Sequence, residues 1–443
     1  MNSNWLKYVF LIGFCLIVAL PLLSSQPYFS PPDWSKTIVF RIILSLLIFL
    51  FLCQFILSKS KNQEILEKLS FLFSKKNIIF WLLVSFLTIN LLATIFSPDP
   101  NFSFWGNPYR SGGFLNLSFY AIFGILAFLI LKEKDWRRIL NLAMLIGIMA
   151  SLIAIFQWQG LFKDVLVTYE TRPPSTLGNP IMLALYLLLL TFLTLSLAIR
   201  ETKPTKKIIY SLVIFLFVFI IFLTYSRAAY LGLATGFLYF IFFFPYKKRV
   251  LSLVLKSSLL IILLLGVYGV YYINTKPQLP EFIKENKTLT GITSRLSTEK
   301  ALRDPRISGW KVSWQALKDR PVLGYGPENF AIGFDRYYDP SLAGINMAPG
   351  SSDNWWDRAH NFVFDISLSA GIPALIIYLS LFGALIFKLN KIKETAIQAA
   401  FIGYLTANFF SFDAFASYLI LFLLIGYSLY LCATYSKSQP LSS

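Results

Sequence analysis

Apolar runs of about 18 to 23 residues succeed one another along most of the chain, parted by short polar stretches. As helices they are each long enough to cross a hydrocarbon layer about 30 Å thick. The expected spans are 6–24, 37–58, 78–96, 114–131, 139–157, 181–199, 208–224, 228–246, 250–273, 361–387, 395–412 and 414–434. The pattern lapses once, between 274 and 360. The chain thus divides into nine spans in 1–273, a long loop at 274–360, and three spans with a tail in 361–443. The fold expected is an all-α polytopic membrane protein of about twelve transmembrane helices, with one large helical loop outside the bilayer.

Composition agrees: 56% of residues are hydrophobic and only 14% charged, against about 25% charged in soluble domains. The net charge of +18 suggests nucleic acid until its distribution is followed. Basic residues gather between alternate spans, as in Lys59–Lys76, Lys132–Arg138, Arg200–Lys207, Lys247–Arg249 and Lys388–Lys393. That alternation is the positive-inside pattern, and it makes those loops and both termini cytoplasmic. The charge orients the protein and recruits no nucleic acid. Cys15, Cys53 and Cys432 lie far apart in apolar runs and carry no metal-ligand or disulfide spacing. The first run follows Lys7 without a small-residue cleavage site and reads as a retained span.

The opposite face holds the unusual segments: 97–113, 158–180 ending in Gly178-Asn179-Pro180, and 274–360. An enzyme roofing its active site needs such mass on one side. In the long loop, Arg306–Arg320 has helical period, with Ile307, Trp310, Trp314 and Leu317 in one stripe. The stripe suits either a helix in the membrane interface or one packed on the protein's own core. Pro321, Gly324, Gly326 and Pro327 then predict a turn-rich stretch. Gly324-Tyr-Gly326 lacks the strand and lysine of a nucleotide loop.

His360, the only histidine, stands where the long loop re-enters the membrane, in Trp355-Trp356-Asp357-Arg358-Ala359-His360-Asn361. With its ordinary pKa near neutrality it is the obvious candidate for a general base. Arg227 lies in a tight outer turn, Thr224-Tyr225-Ser226-Arg227, and either faces an anion in a wet cavity or snorkels to the headgroups. Arg306, Arg358, Arg110 and Arg172 also sit on the outer side, against the charge trend. Guanidinium groups pair well with diphosphate oxygens; the alternative is ion pairing with acids such as Glu328 and Asp357. Asp365, five residues beyond His360, either orients a polar site from below or pairs with a loop cation. No His–Cys–carboxylate cluster suggests a metal.

At these residues the chain resembles the O-antigen ligase family, which takes in O-antigen polymerases and O-linked oligosaccharyltransferases. The resemblance rests on Tyr225-Ser226-Arg227-Ala228, on Arg306-Ile-Ser-Gly-Trp310 followed by Pro321-Val-Leu-Gly-Tyr-Gly, and on Arg358-Ala359-His360-Asn361 leading to Gly371-Ile-Pro. Arg110 with Gly112-Gly113, and Gly178-Asn179-Pro180, resemble it more weakly; the likeness covers roughly 80–385. It implies a GT-C-type glycosyltransferase of the bacterial inner membrane. Such an enzyme moves a glycan from undecaprenyl diphosphate to a periplasmic acceptor, lipid A core or a similar envelope glycan, without nucleotide sugar, cofactor or obligatory metal. Arg227 and Arg306 would bind the diphosphate and His360 would be the catalytic histidine. Arg110, Arg172, Arg358, Asn361 and Glu328 are the further substrate-binding candidates, and Glu328 is also an alternative base. A polymerase, a protein O-glycosyltransferase and, outside the enzymes, a lipid-linked glycan flippase are the competing readings. A flippase calls for charge through the whole bilayer, whereas here it gathers on the outer face.

Overall fold

The computed structural model describes residues 3–24, 33–57, 63–107, 112–161, 172–275, 305–338 and 356–438, with a few single positions between 280 and 293. These residues are helical throughout their ordered elements. The helices are α1 (Ser3–Ala19), α2 (Asp33–Leu57), α3 (Gln63–Phe73), α4 (Ile78–Ile95), α5 (Pro100–Trp105), α6 (Phe114–Ile130) and α7 (Glu133–Trp158). Next come α8 (Pro180–Arg200), α9 (Pro204–Leu223), α10 (Arg227–Phe243) and α11 (Arg249–Thr275). Two helices of the long loop follow, α12 (Pro305–Asp319) and α13 (Phe330–Arg336), and then α14 (Phe362–Lys391), α15 (Thr395–Asn408) and α16 (Phe415–Ser438).

Among the described residues, nine helices are long and apolar enough to cross a membrane. Three of the twelve expected spans come out shorter. α6 and α10 have 17 residues each, about 25 Å at 1.5 Å per residue, and α15 has 14. The protein is a helical polytopic membrane protein.

Burial sorts the helices. α8 is apolar on every side and buried almost entirely, as is α16; the two form the middle of the bundle. α11 buries none of its residues and presents Leu253, Leu264 and Val267 outward. Without water to drive helices together inside a bilayer, close packing needs small residues. α10 and α15 supply them: Gly232 faces Gly403 and Ala407, and Gly236 faces the Ala399 carbonyl. These pairs run antiparallel, which places Arg227 toward the Asn408 end of α15.

Ion pairs stitch the basic loops into one face. Arg137 pairs with Glu201, Arg200 with Glu394, Lys132 with Glu64 at 2.5 Å, and Lys7 with Asp135 at 3.5 Å. The stretch around Lys68, expected as a plain loop, is instead α3. Lys68 is buried there and its Nζ donates to the Leu129 and Leu131 carbonyls at 3.2 and 3.0 Å, closing the end of α6.

Candidate functional site

The site grows from a break in a helix. α14 loses helical geometry at Ala370 and Gly371, where Gly371 has φ 82°, and Pro373 follows. Such a break strands the carbonyls of the preceding turn, which must find other donors. The turn-rich segment after α12 provides them. Tyr325 N–H donates to Leu368 O at 2.6 Å, Gly326 N–H to Ser369 O at 2.9 Å, and Ile372 N–H returns a bond to Pro321 O at 2.8 Å. A Cβ at Gly371 would overlap the Val322 carbonyl. Two motifs far apart in sequence, Pro321–Gly326 and Gly371-Ile-Pro373, are one plug and socket.

Glu328 emerges from the plug in a left-handed backbone, φ 66°, and forms an ion pair with Arg358. Its side chain is buried and that of Arg358 nearly so. Asn107 N–H also faces Glu328 Oε2, at 3.4 Å, and Gly112 lies so close over the pair that a Cβ there would push the carboxylate and guanidinium aside. Burial alone would lower the Arg358 pKa, but the Glu328 carboxylate outweighs it and holds the guanidinium above its ordinary value. Arg358 is thus neutralised inside the protein, the ion-pair alternative that its outer position left open.

His360 follows two residues later, also left-handed, at φ 55°. Ala359 before it is held by Asp365 and Trp310. Asn361 after it caps α14, its Oδ1 accepting from Val363 N–H at 2.8 Å. The imidazole meets the ring of Phe412 edge-on at 4.7 Å and that of Trp356 at 5.6 Å. Its Nδ1 lies 3.1 Å from the Arg358 carbonyl. A carbonyl only accepts, so this contact is a hydrogen bond in the tautomer with the proton on Nδ1, which leaves Nε2 as the acceptor.

Beneath these residues a cavity of about 90 Å³ opens among α4, α6, α14 and α16, room for several water molecules. Glu328, Arg358, Asp365 and Asp413 line it with Asn90, Asn116 and a wall of phenylalanine and tyrosine rings. Asp413 lies in the turn between α15 and α16, accepting from Tyr404 Oη at 2.5 Å, Ser417 Oγ at 2.9 Å and Asn408 Nδ2 at 3.3 Å. Burial pushes its carboxyl up to about 6, against those hydrogen bonds. Sequence reasoning passed over it. The signal was present, a lone acid between two apolar runs on the outer side, but only the packing of α16 brings it toward Arg358.

The arginines separate into two groups. Tyr225 is left-handed at φ 49°, Arg227 starts α10, and Arg172 Nε donates to Thr224 O at 2.8 Å in the same corner. Arg306 is the second residue of α12. Its apolar stripe of Ile307, Trp310, Trp314 and Leu317 left open whether the helix lies in the membrane interface or on the protein's core. Its packed face runs through Gly309, Val312, Ser313, Ala316 and Leu317, and Trp314 points outward beneath Lys318. The small residues let Trp356 pack flat against Gly309. α12 therefore docks on the protein's own core, through Trp310 against Phe409 and Phe410. Arg110 lies outside the described residues. Among them, no group of three or more His, Cys, Asp or Glu side chains could hold a metal.

Residues 212–379 match the family model described as O-antigen ligase. Over these residues the chain is similar to the O-antigen ligase family. The matched stretch runs from α9 into α14 and holds Arg227, Arg306, Glu328, Arg358, His360, Asn361 and Asp365. Arg172 and Asp413 fall outside it. No curated protein matches the chain.

Proposed function

We propose that this protein is a GT-C-type glycosyltransferase that moves a glycan from undecaprenyl diphosphate to an acceptor hydroxyl at the periplasmic face of the bacterial inner membrane. The acceptor is lipid A core or a comparable envelope glycan. One observation carries the reading: α12, which holds Arg306 in its first turn, is bonded through Trp310 to the residue beside the only histidine. α10 and α12, each with an arginine in its first turn, both pack against the end of α15 and the residues after it.

In the reaction the acceptor oxygen bonds to the anomeric carbon while the carbon–oxygen bond to the diphosphate breaks. The diphosphate leaves with the bonding pair, and the acceptor proton passes to His360 Nε2. Arg227 and Arg306 hold the charge that grows on the leaving group. A base in this role contributes about 10² to 10⁴ in rate.

The test is reconstitution of the full-length protein in vesicles with an undecaprenyl diphosphate-linked glycan and candidate acceptors. Wild type is expected to release undecaprenyl diphosphate and glycosylate the acceptor, and His360→Ala to lose both while still binding the donor. Glycan that lengthens on its own carrier would identify a polymerase instead. Movement of donor across the bilayer with no bond cleaved would replace the enzyme with a flippase.

A further inference from the structure

Ala359 is fully buried and held at both ends of its backbone. Its N–H donates to Asp365 Oδ1 at 2.6 Å, and its carbonyl accepts from Trp310 Nε1 at 2.9 Å. One partner belongs to α14 and the other to α12. The carbonyl of Ala359 is part of the peptide that joins it to His360, so the indole fixes the plane from which the φ of His360 is measured.

That φ is 55°. A left-handed backbone is disfavoured for a residue with a Cβ and persists only where its surroundings over-determine it. Here they do. Asp365 and Trp310 grip the residue before His360, and the Asn361 cap fixes the residue after it. Asp365 also lines the cavity together with Phe412, the ring that the imidazole meets, and its Oδ2 is buried without a hydrogen-bond partner. The carboxylate therefore joins the loop to the cavity.

We propose that Asp365 and Trp310 are positioning residues that act through Ala359 to aim the His360 imidazole at the acceptor. The proposal rests on the reading of His360 as the base. An ordinary helix cap would stabilise α14 and leave turnover per folded molecule unchanged. A positioning pair sets turnover itself, because a shift of about 1 Å at a reacting group costs on the order of 10²-fold.

The experiment measures kcat and donor KM in the reconstituted transfer assay, with thermal unfolding as the control for folding. The variants are Asp365→Ala, Asp365→Asn, Trp310→Phe, His360→Ala and the double Asp365→Ala/His360→Ala. Asp365→Ala is expected to lower kcat by about 10- to 100-fold and to leave donor KM nearly unchanged. Asp365→Asn keeps an acceptor for Ala359 N–H and is expected to recover most of the rate. Trp310→Phe keeps the ring, loses the donor and should lower kcat by about tenfold. The double variant should be no slower than His360→Ala alone, since groups acting as one unit are not additive.

Wild-type turnover in folded Asp365→Ala or Trp310→Phe overturns the proposal, as does a double variant slower than His360→Ala. If Asp365→Ala fails to fold, Trp310→Phe and the Asp365→Asn rescue decide in its place. Wild-type turnover in His360→Ala defeats the functional reading itself, and the two failures are thereby told apart.

Discussion

Two corners of this molecule carry arginine, and each sets it among different neighbours. At the cavity, Arg358 is closed into a buried pair with Glu328 beneath Gly112. At the α9–α10 corner, Arg172 donates to the neutral carbonyl of Thr224 beside Arg227. The first corner cancels its charge internally and adds the carboxylates of Asp365 and Asp413 around the cavity; a diphosphate would be repelled there. The second binds one of its arginines to backbone at the end of α9. An arginine on the outer face does not by itself mark an anion site; the presence of a built-in carboxylate partner decides. Under the proposed function the second corner would serve the diphosphate, and the first, acidic and aromatic, a hydroxyl-rich acceptor.

The largest effect should come from His360→Ala, which removes the proposed base. Turnover in the reconstituted assay should fall by about 10² to 10⁴. Next come Arg227→Ala and Arg306→Ala, each expected to lower kcat/KM by about 10²-fold, a loss of roughly 3 kcal/mol of charge stabilisation. Inhibition by free inorganic diphosphate should weaken in parallel. If diphosphate inhibits these variants as it does wild type, the division into two corners is wrong.

Glu328→Ala tests the other corner. Removing one member of a buried pair leaves an uncompensated charge and typically costs about 3–5 kcal/mol. Thermal unfolding should show that loss, and the double variant Glu328→Ala/Arg358→Ala should recover part of it. Equal midpoints for Glu328→Ala and wild type would mean that the pair contributes nothing to the fold.

Much of this was legible in the chain and some was not, for physical reasons. Apolar run length and basic clusters revealed the spans, because bilayer thickness and the positive-inside bias act locally along the sequence. The helix at 306–319 could be read from its period, but its buried face could not. Gly309, Ser313 and Ala316 look indifferent until Trp356 is packed against them. Lys68 seemed one more basic loop residue, and only the end of α6 shows why it is buried. His360 stood out because it is unique. Asp365 and Asp413 acquire meaning only when the break at Gly371 and the α15–α16 turn bring their elements to one cavity. Pairings across many residues leave no periodic trace.

The smallest effect expected is also the most specific to the acidic side. The Asp413 carboxyl is pushed up to about 6 by burial, against about 3.9 in an unfolded chain. Between those values the folded protein binds the extra proton. The stability this contributes is fully present below about pH 4 and is lost as pH rises through 6. Asp413→Asn is neutral at every pH and escapes that loss. It also misplaces an amide among the donors Tyr404, Ser417 and Asn408, a penalty that does not vary with pH. The midpoint of the variant relative to wild type should therefore rise between pH 4.5 and 7.5 by the equivalent of about 2 kcal/mol, a few degrees. A difference that stays flat over this range would mean that Asp413 titrates as an ordinary surface acid, and the acidic half of the comparison would lose its buried anchor.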